Sequence, residues 1–228
     1  MQEIGLKWQY LTGHYLTTSQ LQPTKRDVEA KTVSLPEPAA LKLSLEQALS
    51  RRRTKRQFSL EPLKLEKVSA LCWAAYGVTE TKGRLGLHTA PSAGATYPLE
   101  LYVVVQNCAD IEPGLYLYQP NNHSLAKLAA GNFKKEAAWA LLDQAFVQRA
   151  ALTFVWTAVV QRCARRYQQR AYRYIYLEAG HQCQNLLLAA AALGLDACPV
   201  GAFFDAELAN LLGIDGTNEI TVYTAVVG

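Results

Sequence analysis

The chain has 228 residues, 50% hydrophobic and 18% charged, a composition that excludes intrinsic disorder and is enough to bury a sizeable core. The formal charge of +4 and pI near 8.7 are only mildly basic, and much of the excess is local, in Arg51 to Arg56 and Arg162 to Arg173. Local clusters of this kind suit an anionic ligand better than a generally basic surface would.

The N-terminal MQEIGLKWQY lacks a signal peptide's apolar core. The most apolar stretch, Asn185 to Leu195, is well short of the ~20 residues that a membrane crossing needs, so a soluble, cytoplasmic protein with no membrane partner is expected. Residues 1–40 read as an arm with one short helix and a linker marked by Leu35-Pro36-Glu37-Pro38, and residues 41–228 as the main domain. Ser44-Leu45-Glu46-Gln47 forms a capping-box pattern, which predicts a helix from Leu45 into the arginine cluster, where the helix dipole favours cations. A second helix is expected over Leu63 to Tyr76, with Gly77 as a left-handed cap.

Leu99 to Val105 ends apolar on both faces and reads as a central strand. Gly114–Tyr118 and Ser124–Leu128 flank a turn of Gln119-Pro120-Asn121-Asn122-His123, which predicts a hairpin. Helix is expected over Asn132–Ala145 and a buried strand over Leu152–Val160. One long helix should then run from about Arg162 to Leu193, capped by Gly194 and apolar on every side in its second half. Asp205 opens a short helix that Gly213 ends, and Glu219–Val227 closes the chain as a strand. This order of elements gives an α+β sandwich around a mostly antiparallel sheet.

Five widely spaced cysteines with no C-x-x-C read as free thiols, four of them inside helices or strands. His181-x-Cys183 lacks the further ligands of a zinc site, so no metal is expected.

Three segments carry candidate chemistry. Arg52-Arg53-Thr54-Lys55-Arg56-Gln57-Phe58 offers guanidinium forks and a hydroxyl to a phosphate, with a further cation for the electron-rich edge of a flavin. Taken bare, such a run is more often a solvated face or a nucleic-acid patch. The aromatic interleaving of a nucleic-acid site is absent around it, where only Phe58 is near. Ala90 to Pro98 is a loop of small residues leading into the central strand, whose backbone can approach a flat ring closely or merely connect two elements. Leu195 to Phe203 follows the buried helix with few side chains in the way of an exposed N–H.

Together these segments resemble the nitroreductase superfamily over about Leu45 to Gly228. Residues 52–58 are similar to its R-R-S-x-R-x-F opening, with Thr54 for Ser, and Pro91 to Pro98 to its P-S-x-x-x-x-x-P loop. Pro199 to Phe203 stand in the place of its P-x-x-G-F segment. The loop's continuation into Leu99-Glu100-Leu101-Tyr102 looks like the SagB-type dehydrogenase branch, as do Arg170–Tyr174, Leu177–His181 and Gln184–Leu186. The resemblance implies a nitroreductase-like sandwich around a long buried helix, assembled as an FMN-bound homodimer with each flavin at the subunit interface. Arg52, Arg53 and Thr54 would meet the phosphate and Arg56 the pyrimidine edge. Pro91, Ser92, Ala93 and Gly94 would cover the flavin from the partner subunit. Gln184, Pro199, Val200 and Gly201 complete the cofactor set, and the Ala202 amide would face N5. Hydride would pass from a donor such as NAD(P)H, through N5, to a small-molecule or peptide acceptor.

Two departures stand out. Many relatives place a basic pair near the C-terminus on the phosphate, whereas this chain reads Val226-Val227-Gly228, which adds Arg162 or Arg165 to the candidates. Azoline-oxidising SagB-type enzymes tend to carry Lys-Tyr where this chain has Arg166-Tyr167. An arginine is a poor general base, which disfavours azoline oxidation and leaves Tyr167 as the acid–base candidate. A non-catalytic binder that keeps the fold is the alternative of another class.

Overall fold

The computed structural model describes residues 31–228, apart from 39, 83 and 84. The short helix expected in the arm therefore lies outside the described residues. Within the stretch read as arm and linker, β1 (Thr32–Ser34) pairs with the edge of the main sheet. The Ser44 capping box forms with both reciprocal bonds at 3.2 Å and opens α1 (Leu45–Arg51), which ends in the arginine cluster as expected.

α2 (Leu65–Tyr76) starts two residues later than expected. Gly77 is not left-handed: its φ of −66° and ψ of 155° are extended. Glycine is needed there for closeness, since a Cβ would stand 2.3 Å from Trp73 Cδ1. The chain then forms β2 (Val78–Lys82) and β3 (Leu85–His88), a hairpin the sequence reading missed.

β4 (Leu99–Val105) is buried along its whole length. β5 (Gly114–Gln119) and β6 (Ser124–Ala130) make the expected hairpin. α3 (Lys134–Ala140) is shorter than predicted, because Leu142 and Asp143 take positive φ soon after it. β7 (Leu152–Val159) runs directly into α4 (Val160–Tyr167).

Here the structure departs most from expectation. The long helix is broken at Gln168, with φ 49° and ψ −133°, and resumes after a single 3-10 turn as α5 (Ala171–Ala192). A left-handed residue cannot continue a right-handed helix, so the chain changes direction between the two. α5 ends in a Schellman motif: Gly194 has φ 68°, its N–H bonds the Ala191 carbonyl, and the Leu195 N–H bonds the Ala190 carbonyl. β8 (Ala197–Val200), α6 (Asp205–Leu212, closed by left-handed Gly213) and β9 (Glu219–Val227) complete the fold.

The seven-stranded sheet has the order β1-β6-β5-β4-β7-β9-β8, and every neighbouring pair is antiparallel. Alternate residues of β4 serve two cores. Leu101, Val103 and Val105 pack on the α2–α5 side, while Tyr102 and Val104 pack on the α3–α6 side. This is the α+β sandwich expected.

One ion pair lies inside it. Arg162 and Glu100 are each at most 2% exposed and meet at 2.7 Å, and Arg162 also donates to the Tyr97 carbonyl at 3.3 Å. Removing one partner of a buried pair leaves an uncompensated charge. Arg162→Ala should therefore lose about 3–5 kcal/mol of stability, read by urea titration.

Candidate functional site

The basic segment is fixed by backbone before any side chain acts. Thr54 forms a parallel bridge to Ala197, and the Lys55 N–H donates to the Ala197 carbonyl at 3.0 Å. Residues 52–56 thus lie alongside the start of β8, running the same way. Arg51, Arg52, Arg53 and Lys55 line a cleft of ≈ 220 Å³ with Leu187, Ala191 and Gly194 at the end of α5. Two of these cations already have partners. Lys55 Nζ pairs with Asp196 at 2.7 Å, and Arg53 curls back to the Ser50 and Arg52 carbonyls at 3.0 and 2.7 Å. The Arg52 guanidinium makes no hydrogen bond among the described residues, so its donors are available to a ligand. Arg56 stands over the Phe146 ring at 5.6 Å and beside Cys198. Arg162 is not available to this cleft, because it is buried against Glu100.

β8 leads from the cleft into exposed backbone. Pro199 is half-buried and Val200 buried, while Gly201 and Ala202 are exposed, and no hydrogen bond engages the Ala202 N–H among the described residues. A second hollow of ≈ 200 Å³ is lined by Tyr176, Ala179, Gly180, Val222 and Tyr223, and a Cβ on Gly201 would stand 3.7 Å from the Tyr223 ring.

Helix periodicity joins the two hollows. At 100° per residue, Tyr176, Gly180, Gln184, Leu187 and Ala191 fall within about 40° either side of one line along α5. Gly180 and Gln184 on that line are exposed, and nothing lies within 4 Å of where a Gly180 Cβ would be. That side of α5 therefore carries an apolar hollow at the Gly180–Tyr223 end and a basic cleft at the Arg52 end, roughly 16 Å of helix apart, which together are called the trough below.

The other predicted residues lie on the opposite face of α5. The Asn185 side chain donates to the Thr89 carbonyl at 3.1 Å, and Glu178 lies beside Ser92. Both helix positions are about 140–160° around from Gly180. The loop is tightly tied: the Ser92 hydroxyl accepts from the Tyr97 N–H at 2.9 Å, and Arg166 donates to the Gly94 carbonyl at 3.2 Å. Arg166 also stands over the Tyr167 ring at 5.3 Å. The loop residues 91–94 and the Arg166–Tyr167 pair are thus brought together, but away from the same chain's trough.

The sequence reading missed Glu178 as a group of interest. It is 3% exposed, and burial pushes its carboxyl up to about 8, opposed by Ser92. An acidic residue on the core side of a helix was the available signal. Burial also raises the thiols, Cys163 to about 11 and Cys183 to about 12, which keeps them protonated and inert. All five cysteines are free, and no metal-holding cluster occurs among the described residues. No helix among them is long and apolar enough to cross a membrane.

Comparison with known proteins gives a consistent picture. Residues 49–228 match the sequence model of the Nitroreductase family. The chain is 39% identical over 183 residues to the nitroreductase candidate MJ1384 of Methanocaldococcus jannaschii, covering 80% of this chain and 91% of that one. It is 36% identical over 111 residues to the trifolitoxin-processing protein TfxB of Rhizobium leguminosarum bv. trifolii, covering 46% of this chain and 30% of that one. A nitroreductase-assigned crystal structure from Anabaena variabilis superposes with a TM-score of 0.78 at 26% identity, covering 90% of this chain and 42% of that one.

Gly94 tests the packing of the loop. It has φ 59°, and a Cβ would stand 2.5 Å from the Tyr167 hydroxyl and 2.6 Å from Arg166 Nη1. Gly94→Ala should therefore cost about 1–3 kcal/mol in a thermal or chemical melt, displacing Arg166 from the loop.

Proposed function

Because the chain belongs to the nitroreductase family, a family of oxidoreductases, we propose that it is an FMN-dependent oxidoreductase. In this reading it takes hydride from NAD(P)H and passes it to an organic acceptor. The observation that carries the reading is that an apolar hollow and a basic cleft lie on one stripe of α5. FMN is a flat apolar ring with a phosphate tail, and the residues present fit both ends. Arg52 and Thr54 bind the phosphate, with Arg53 and Arg51 beside them. Arg56 would meet the pyrimidine edge, Gln184 and Pro199–Val200 would border the length between, and the unengaged Ala202 N–H would be the donor to N5. A flavin held there supplies two-electron transfer at N5, while the protein supplies binding, orientation and electrostatics.

The opposite placement of the 91–94 loop supports a homodimer. Pro91, Ser92, Ala93 and Gly94 of one subunit cover the trough of the other, bringing Arg166 and Tyr167 to the rim. Tyr172, Tyr176 and Leu177 of α5, each about half exposed or more, supply the apolar area that such an interface buries. A second reading, oxidation of azolines in a modified peptide by a SagB-type dehydrogenase, is favoured by the likeness to the trifolitoxin-processing protein. Arg166 weighs against it: it is a permanent cation that donates to Gly94, which leaves Tyr167 as the acid or base. Stopped-flow reduction of the bound flavin by NADH, NADPH and a model thiazoline separates the two, and a colourless protein that takes up no FMN overturns both.

Arg52→Ala should weaken FMN binding by about 2 kcal/mol, roughly 30-fold in Kd, because a charge-assisted phosphate contact is lost. Lys55→Ala should cost less, since that ammonium is engaged by Asp196. Equal losses in a fluorescence titration would indicate a diffuse basic patch instead.

On dilution, monomer and cofactor-free protein should appear together in sedimentation with flavin absorbance. A stable monomer that keeps its flavin contradicts the shared site.

Gly201→Glu should fold and retain FMN, since a Cβ there would make only ordinary van der Waals contact with the Tyr223 ring and the proposed Ala202 contact is a backbone one. It should lower the flavin's reduction potential. A carboxylate roughly 6 Å from the developing charge costs about 3 kcal/mol at an effective dielectric of 20. Solvent screening leaves on the order of 1 kcal/mol, or ~20 mV for a two-electron couple. A spectroelectrochemical titration measures the shift, and an unchanged or raised potential would place Gly201 away from the ring.

A further inference from the structure

Most glycines of this chain have a reason inside it. Among the described residues, five take positive φ, and at four others a Cβ would stand 3.1 Å or closer to another atom. Gly180 and Gly201 have neither reason. Gly180 is exposed in the middle of α5, and apart from its own helix nothing lies within 4 Å of where its Cβ would be. A glycine inside a helix is less stable than an alanine, because it orders the most flexible backbone and packs nothing. At Gly201 the one neighbour of a Cβ is Tyr223 Cε2 at 3.7 Å, an ordinary contact.

Both glycines lead to one ring. Tyr223 of β9 lines the apolar hollow together with Gly180 and Tyr176. The buried Trp156 ring stands 6.2 Å from that of Tyr223, centroid to centroid, and backs it from the core. Two segments far apart in sequence therefore withhold a side chain around the same tyrosine, at a place where the chain itself gains nothing by it.

We propose that Gly180 is a specificity-determining residue of the trough: its bare helix backbone admits the face of a flat heteroaromatic ring bordered by Tyr176 and Tyr223. Gly201 stands at the edge of that ring, where a side chain can pass alongside. Gly180 lies under the face, where one cannot. The other end of the stripe fixes the occupant. Roughly 16 Å of helix away stands the Arg52 guanidinium, which makes no hydrogen bond among the described residues. An apolar slot and a phosphate-binding cation at that separation suit a ring joined to a phosphate by a short chain. The side chains of a second copy could fill the slot but would make no use of the cation. The assignment of the ring to a flavin rests on the reading proposed above.

Melting and binding of full-length variants test the idea. Without cofactor, Gly180→Ala should raise the melting temperature by about 2–4 °C, because alanine is the better helix former and its Cβ meets nothing. Gly180→Leu should weaken FMN binding roughly tenfold or more in a flavin fluorescence titration. Riboflavin, which lacks the phosphate, should lose affinity for Gly180→Leu by the same factor, whereas Arg52→Ala should leave riboflavin binding unchanged. The titrations are run where sedimentation shows each variant to be dimeric. Unchanged FMN and riboflavin affinity in Gly180→Leu overturns the proposal and leaves the flavin reading intact. A Gly180→Leu chain that is monomeric where cofactor-free wild type is dimeric assigns the slot to a second copy and also overturns it. So does a lower melting temperature in cofactor-free Gly180→Ala, since the chain itself then needs the glycine. Wild type that takes up neither FMN nor riboflavin overturns the flavin reading and this inference together.

Discussion

The candidate site is laid out along α5, a helix that must be buried on one side and open on the other. Its core face packs against α2 and the sheet, and it carries Ile175, Ala179, Cys183, Leu186 and Ala190 into the interior. Its far stripe, from Tyr176 through Gly180 and Gln184 to Ala191, is the floor of the trough. The same periodicity that forms the core therefore also sorts the functional residues into two sets on opposite sides of the helix. In the proposed dimer, that sorting would let the loop side of one chain meet the trough side of the other.

The break before α5 matters as much as the helix. At positive-φ Gln168 the chain turns from α4, whose Arg166 and Tyr167 meet Gly94, into α5. The Gly94 contact requires a residue with no Cβ at positive φ, so the loop and the break constrain each other. Nearby, two buried charged groups are treated in opposite ways. Arg162 is matched to Glu100 and serves the fold, whereas Glu178 meets no cation among the described residues and burial pushes its carboxyl up to about 8.

How far the sequence could be read follows from the range of each interaction. The Ser44 capping box, the hairpin around Pro120-Asn121-Asn122, the Gly194 and Gly213 caps and the strand Glu219–Val227 depend on neighbours within a few residues, and all are found where expected. The β2–β3 hairpin escaped notice because its run of Val78-Thr79-Glu80-Thr81-Lys82 is polar and weakly patterned. Gly77 was assigned the wrong reason, since a glycine chosen for a close neighbour looks the same in sequence as one chosen for positive φ.

The sequence by itself determined the family motifs, the mostly antiparallel α+β sandwich and most of the candidate residues, because short motifs and hydrophobic periodicity are local properties. It also supplied Arg52, Thr54, Arg56 and the 91–94 loop as separate pieces. Only the tertiary structure decided which of them face one another. The Thr54–Ala197 bridge joins residues 143 positions apart and lays the basic segment along β8, and burial withdraws Arg162 from the cleft and leaves Glu178 with no cation among the described residues. Those outcomes depend on desolvation and on contacts between distant segments, which are established only when the chain has closed on itself.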